Sequence, residues 1–234
     1  MNIFYAPDIE KSNILSKEES HHCAGVLRGK VGDNICIIDG KGGLYRAEIS
    51  VADPRCTMVD ILEKTPNFGG RPYRLHMAVA PTKNIDRFEW FVEKAVEIGV
   101  DEITPIQCRF SERKVLKLDR LEKIILSATK QSLKAFLPKI NPLTDIQTLI
   151  KECSDSQKFI AHCYDFPKEP LFSSCQAGGE ICIMIGPEGD FSEKEIVEAR
   201  KSGFQAVSLS NSRLRTETAA VVATEIVALR NENW

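Results

Sequence analysis

The sequence predicts an α/β protein in two parts: a small, strand-rich amino-terminal domain, then a parallel sheet covered by helices on both faces. Three observations carry that reading. Residues 1–70 contain short β-like runs separated by turns. Beyond the Pro- and Gly-rich stretch TPNFGGRPYR at 65–74, strand-like and helix-like segments alternate, the pattern that builds parallel sheets buried on both faces. Finally, between 180 and 225, two apolar strands each run into a small or polar loop and then into a helix.

Taken in order, SKEESHHCAGVLR at 16–28 predicts a short helix, with Ser16 at its cap and Glu19 three residues on, the spacing of a capping box. NICIIDG, LYRAEISV and CTMVDILEK predict strands, and the glycines at 40, 42 and 43 make the first two a hairpin. Several short strands with one helix suggest a small barrel, which ends at the linker. RLHMAVAP is a buried strand. Ile85, Phe88, Val92 and Ala95 recur at helical spacing between Asn84 and a stop at Gly99. EITPIQ follows as a strand, LDRLEKIILSATKQSL as an amphipathic helix, TDIQTLIKEC as a short helix and KFIAHCY as a strand. ICIMIG is another strand; Ser192 and Glu195 form a second capping box opening a helix to Ser202, closed by Gly203. FQAVSLS and a helix from Thr216 complete the pattern. The division falls between residues 1–68 and 72–234.

The loops 186–189 (GPEG) and 211–218 (NSRLRTET) both follow strands. Open parallel sheets hold ligands outside the carboxyl ends of their strands, and glycines at 186 and 189 permit close backbone approach. A composite pocket made mainly of main chain is expected there. The plain alternative is ordinary strand-loop-helix punctuation, with Thr216 and Glu217 as helix caps.

Composition narrows the field. No apolar run reaches the roughly 18 residues of a membrane-spanning helix, and MNIFYAPDIEKSN lacks the basic flank and apolar core of a signal peptide, so the cytoplasm is the default location. The eight cysteines form no C-x-x-C pair or compact Cys/His array; they read as reduced, small hydrophobes, and no metal is expected. Net charge is −2, which argues mildly against a nucleic-acid partner. Residues 71–140, however, carry 14 Lys/Arg against 9 Asp/Glu, which softens the objection. The absence of G-x-x-x-x-G-K-[ST] argues against a nucleotide triphosphatase.

GPEG at 186–189 followed by LRTETA at 214–219 resembles the signature of the small-subunit ribosomal RNA methyltransferase E family, a branch of the knotted SPOUT methyltransferases. The resemblance extends to HHCAGVLRGKVGD at 21–33 and FVEKAVEIGVDEITPI at 91–106, nearly the whole chain. It implies a PUA-like barrel that docks RNA, then a SPOUT domain with a deep trefoil knot, in a homodimer. It also implies methyl transfer from S-adenosylmethionine to N3 of one uridine in small-subunit rRNA. By the same resemblance, Ile185, Gly186, Pro187, Glu188 and Gly189 form one wall of the cofactor site, and Leu209, Ser210, Leu214, Arg215 and Thr216 the other. His162 brings a third strand end to the pocket.

Arg215, with Arg213 second, is the candidate to stabilise charge developing on the uracil oxygens; Glu188 and Glu217 are the candidate bases. For RNA contact the candidates are Arg28 and Lys30 in the small domain and Lys83, Arg87, Lys94 and Arg109 in the large one. Lys94 and Glu97 could equally be an intrahelical pair. The chain departs from the family pattern at Asp190 and Ser210, where glycine is usual, and Gln131-Ser132-Leu133-Lys134 replaces Q-S-G-R. Rival readings are a SPOUT ribose 2′-O-methyltransferase acting on tRNA and a non-catalytic RNA- or S-adenosylmethionine-binding module.

Overall fold

The glycine-bearing turn at 39–43 joins two antiparallel strands, as its residues predict. In the computed structural model, which describes residues 2–232, β1 (Ile3–Tyr5), β2 (Asn34–Ile38), β3 (Leu44–Val51) and β4 (Met58–Thr65) form one sheet in that order. The Asp39 carboxylate fixes the turn: it accepts from the backbone N–H of Lys41 at 2.7 Å and of Gly43 at 2.8 Å, and from the Tyr45 hydroxyl at 3.1 Å. Two register shifts between β3 and β4 bend the pair. The expected barrel takes the form of a curled sheet whose two edges are held by one segment. β1 lies parallel to β2, and shortly afterwards Ile14 bridges Met58 on β4. Phe4, Ile37, Tyr45, Ile49 and Val59 are buried inside it.

Two short helices, α1 (Ile9–Ser12) and α2 (Lys17–Ser20), precede β2. Ser16 caps α2 by accepting from the Glu19 N–H at 3.2 Å. The expected reciprocal bond is missing. The buried Glu19 carboxylate instead accepts from Lys130 Nζ at 2.7 and 2.9 Å, and the chain runs on as a π-helical turn, His21–Val26, rather than as α-helix.

Two compact units result: Met1–Gly70 with Leu126–Leu137, and Arg71–Ile125 with Pro138–Trp234. The break at 70/71 falls in the expected linker. The inclusion of 126–137 in the first unit departs from the expected division, because LDRLEKIILSATKQSL reads as one uniform helix.

The second unit alternates as its periodicity requires. β5 (Tyr73–Val79), α3 (Ile85–Ile98), β6 (Glu102–Gln107), α4 (Leu118–Gln131, of which the residues from Leu126 on fall in the first unit), β7 (Lys139–Ile140), β8 (Thr144–Asp145), α5 (Ile146–Glu152) and β9 (Gln157–Ala161) come first. They are followed by β10 (Glu169–Pro170), α6 (Leu171–Ser174), β11 (Gly179–Ile185), α7 (Glu193–Lys201), β12 (Gln205–Ser208) and α8 (Thr216–Asn231). The two-residue strands β7, β8 and β10 are too short to leave a sequence pattern. Every strand pair is parallel, in the order β10-β12-β9-β11-β5-β6-β7, with β8 beside β6.

Both faces are covered. Along β11, Cys182 and Met184 share one core with Phe191, Ile150 and Ile196 near α5 and α7. Ile181, Ile183 and Ile185 alternate to the other face, where α8 packs against α3, β5 and β11. Local chemistry sets the helix ends. Asn84 accepts from the Asp86 N–H at 3.1 Å, and Ser192 with Glu195 forms the expected capping box. At two of the positions where this chain replaces a family glycine, the backbone is left-handed: Leu133 at φ 55° and Asp190 at φ 66°. Glycine meets that geometry without steric cost, and Asp tolerates it better than Leu.

Candidate active site

The strand order decides which loops meet. β9 lies between β12 and β11, so the ends of three strands converge at one edge. From β12 the segment 209–215 passes the end of β9, and α8 then begins beside the β11 loop. There the Thr216 hydroxyl donates to the Gly186 carbonyl at 3.1 Å. A cavity of about 690 Å³ opens among these loops, a size suited to a small molecule. Ala161, His162, Cys163 and Lys168 line it from β9, Ile185 to Glu188 and Asp190 from β11, Val207 to Thr216 and Ala219 from β12 and α8, and Arg87 from α3.

Thr216 is therefore a tie between loops rather than a cap. The N-cap of α8 is Arg215, with no side-chain cap bond. Asp190 makes a second tie: its carboxylate accepts from the Cys163 N–H and from the Phe191 N–H, both at 2.7 Å. Glu188 makes a third, accepting from the Lys83 N–H at 2.9 Å. The loops are held to one another by these hydrogen bonds.

Most of the expected wall is present: His162, Ile185, Gly186, Pro187, Glu188, Leu209, Ser210, Leu214, Arg215 and Thr216 all line the cavity. Two expectations change. Gly189 does not line it; a Cβ there would stand 3.0 Å from Phe110 Cβ, so its hydrogen is needed for packing. Glu217 is buried at 7% exposure and sits behind the wall, 3.7 Å from Arg87 Nε. Gly186 lines the cavity and meets a second constraint there. A Cβ there would meet the Phe191 ring and N–H at 3.1 Å, so the missing side chain makes room for Phe191. Lys168, Cys163 and Asp190 line it as well; KFIAHCY, ending at the same sheet edge, was the signal for the first two, and Asp190 follows the GPEG loop directly.

The basic candidates separate. Arg28 (φ 57°) and Lys30 are exposed on the first unit. Arg87 lines the cavity rather than an outer surface. Lys83 Nζ lies 2.9 Å from Glu112, and Arg109 is exposed over the Phe110 ring. Lys94 pairs with Glu93 at 2.7 Å and, as the intrahelical alternative expects, with Glu97 at 2.8 Å.

His162 is buried, edge-on to Tyr164 and Phe166, and neither ring nitrogen has a partner among the described residues. Burial first, then the Lys168 charge, lowers its pKa; Asp190 opposes this and Arg200 adds to it. The neutral ring is thus the folded form, and its contribution to stability is complete above the unfolded value of about 6.5 and is lost as pH falls through the lower folded value. Thermal denaturation from pH 7.5 to 5 should show a fall that His162→Phe flattens; an identical fall in the variant would remove His162 as its source.

Ligand-type side chains also gather at one other place. His76, Asp155 and Cys182 bring their atoms within 4.8 Å of one another. They belong to a polar network: His76 Nε2 lies 2.7 Å from Thr104 Oγ1, Asp155 accepts from Arg74 at 3.1 Å, and Cys153 Sγ is 3.3 Å from Asp155. These groups already serve one another, so the network carries no argument for an ion. All eight cysteines are free; Cys23, Cys108, Cys175 and Cys182 are buried, while Cys56 and Cys163 are exposed. Among the described residues no helix is long and apolar enough to cross a membrane.

Comparison with known proteins bears on this geometry. A family model described as an RNA methyltransferase domain matches residues 70–228, and one described as an RNA methyltransferase PUA domain matches 15–55. The ribosomal RNA small subunit methyltransferase E of Mesomycoplasma hyopneumoniae is 32% identical over 83% of this chain and 85% of its own. The crystal structure of a probable rRNA methyltransferase from Porphyromonas gingivalis is 40% identical, with TM-score 0.93, covering 99% of this chain and 98% of that one. The structure of ribosomal RNA small subunit methyltransferase E from Neisseria gonorrhoeae bound to S-adenosyl methionine is 29% identical, with TM-score 0.82, covering 96% and 95%.

Proposed function

The chain belongs to the ribosomal RNA small subunit methyltransferase E family, and from that premise we propose that it methylates N3 of one uridine in small-subunit ribosomal RNA, using S-adenosylmethionine. The observation that carries the reading is the cavity lined by three strand-end loops. Its residues suit this cofactor. Ile185, Val207, Leu209, Leu214 and Ala219 offer apolar surface to a flat, uncharged adenine. When bound, S-adenosylmethionine supplies an activated methyl group on a sulfonium.

The chain's own contribution is alignment and charge. Proximity and orientation supply up to roughly 7–11 kcal/mol of barrier lowering. Arg215, exposed on the cavity rim at the start of α8, neutralises charge growing on a uracil oxygen. Glu188 takes the N3 proton: it lines the cavity and spends one carboxylate oxygen on the Lys83 N–H, whereas Asp190 spends both of its oxygens on backbone N–H groups and Glu217 stands behind the wall.

The reading includes a knotted path, for which the crossing of 209–215 past β9 to an α8 packed on α3 and β5 is the support. It includes a homodimer, supported by the exposed apolar Phe172 on α6 and Leu229 on α8, and a cytoplasmic location, where rRNA is met. RNA docking falls to residues 1–68, where exposed Val26, Leu27 and Val31 surround Arg28 and Lys30. Arg28→Ala should reduce the salt slope of RNA binding by about one unit with cofactor affinity unchanged; an unaltered slope would remove Arg28 from the phosphate contacts. Deleting residues 1–70 is the poorer test, since it strips their partners from 126–137, where Ala135 is fully buried.

The function itself is tested by incubating small-subunit rRNA, naked and assembled, with the protein and cofactor and mapping the product by mass spectrometry. A single N3-methyluridine is expected. A ribose 2′-O-methyl would assign the rival chemistry, and cofactor binding without turnover would leave a binding module.

A further inference from the structure

Arg87 is placed where its own helix does not favour it. It lies in the first turn of α3, the positive end of the helix dipole, an end already served by Asn84 as cap and Asp86 as first-turn acid. Its side chain lines the cavity and is 41% exposed. Behind it stands Glu217, whose Oε1 lies 3.7 Å from Arg87 Nε and whose Oε2 is buried with no partner among the described residues. Burying a half-satisfied carboxylate is unfavourable. Arg87 is its partner in an ion pair, and that partner faces the cavity.

The other cations of the lining differ from it in setting. Lys168 Nζ donates to the His162 carbonyl at 2.9 Å and the Tyr164 carbonyl at 2.7 Å, so it serves its own loop. Arg213 and Arg215 are exposed on the 209–215 segment. Among these cations Arg87 alone comes from α3, and a guanidinium with one ion contact keeps N–H donors for a second anion. Glu217 follows Thr216, which ties α8 to Gly186. One turn of α8 therefore sets both the backbone wall and the cation.

We infer that Arg87, held in place by Glu217, is the subsite for the carboxylate at the methionyl end of the cofactor, with Glu217 as a positioning residue. The inference rests on the function proposed above. An RNA phosphate presents similar oxygens to a guanidinium, so the test separates the two sources.

Calorimetry on the full chain with S-adenosylmethionine and with decarboxylated S-adenosylmethionine isolates the carboxylate. Arg87→Ala should weaken S-adenosylmethionine at least tenfold and leave the decarboxylated compound within twofold, which also reports that the cavity is folded. Arg87→Lys should recover part of the loss, and Glu217→Gln should show a smaller loss with the same selectivity. Equal weakening of both ligands, or of neither, overturns the inference. Unchanged S-adenosylmethionine affinity with weakened RNA binding overturns it in favour of phosphate. If the wild-type chain binds neither compound, the cofactor reading fails, and this inference with it.

Discussion

Replacing Arg215 with alanine is expected to slow single-turnover methyl transfer about 10²–10³-fold, the usual effect of removing one donor from a developing oxyanion, while cofactor affinity changes only a few-fold. The structure makes this substitution clean. Arg215 has extended backbone at φ −73° and ψ 158°, and its side chain makes no cap hydrogen bond. The carbonyl that opens α8, accepting from the Ala219 N–H at 2.7 Å, is main chain and survives the change. A group that meets charge present only in the transition state affects rate more than binding. Rapid-quench kinetics at saturating cofactor, with calorimetry alongside, would check it. Equal losses in rate and affinity would instead make Arg215 a residue that shapes the pocket, and Arg213 would become the candidate.

Replacing Phe191 with alanine should produce the largest loss of stability. Its ring is fully buried against Gly186, among Ile106, Ile160, Met184 and Ile196. Removing a buried phenyl ring typically costs about 3–5 kcal/mol, which for a chain of this size lowers Tm by roughly 6–20 °C. The effect should reach the site as well. The ring occupies the space where Gly186 has no Cβ, and the Phe191 N–H anchors the Asp190 carboxylate that also holds Cys163. Scanning calorimetry and cofactor titration on one sample measure both losses. A Tm within a degree of wild type would show that the ring does not support the loop.

The contrast between Gly186 and Gly189 shows how far the sequence could be read. Both signalled a tight loop, and the loop exists where expected. Only the fold reveals that one glycine accommodates Phe191 and the other Phe110. Glu19 gives the same lesson. Its spacing from Ser16 specified the cap correctly, yet its carboxylate bonds Lys130, far along the chain.

By itself the sequence determined the elements whose signals are local. The alternation of β11, the cap at Ser192, the hairpin at 39–43 and the two strand-end loops all follow from hydrogen bonds and side-chain periods spanning a few residues. The family words at 186–189 and 214–219 then pointed to the cavity that these loops line. Tertiary structure decided the rest. Placing β9 between β12 and β11 brought His162 and Lys168 into the site, and passing 209–215 across that edge put Thr216 on Gly186 and Glu217 behind Arg87. Such pairings join residues 30 to 130 positions apart. Chain path and buried charge select them, and neither leaves a periodic mark on the residues themselves.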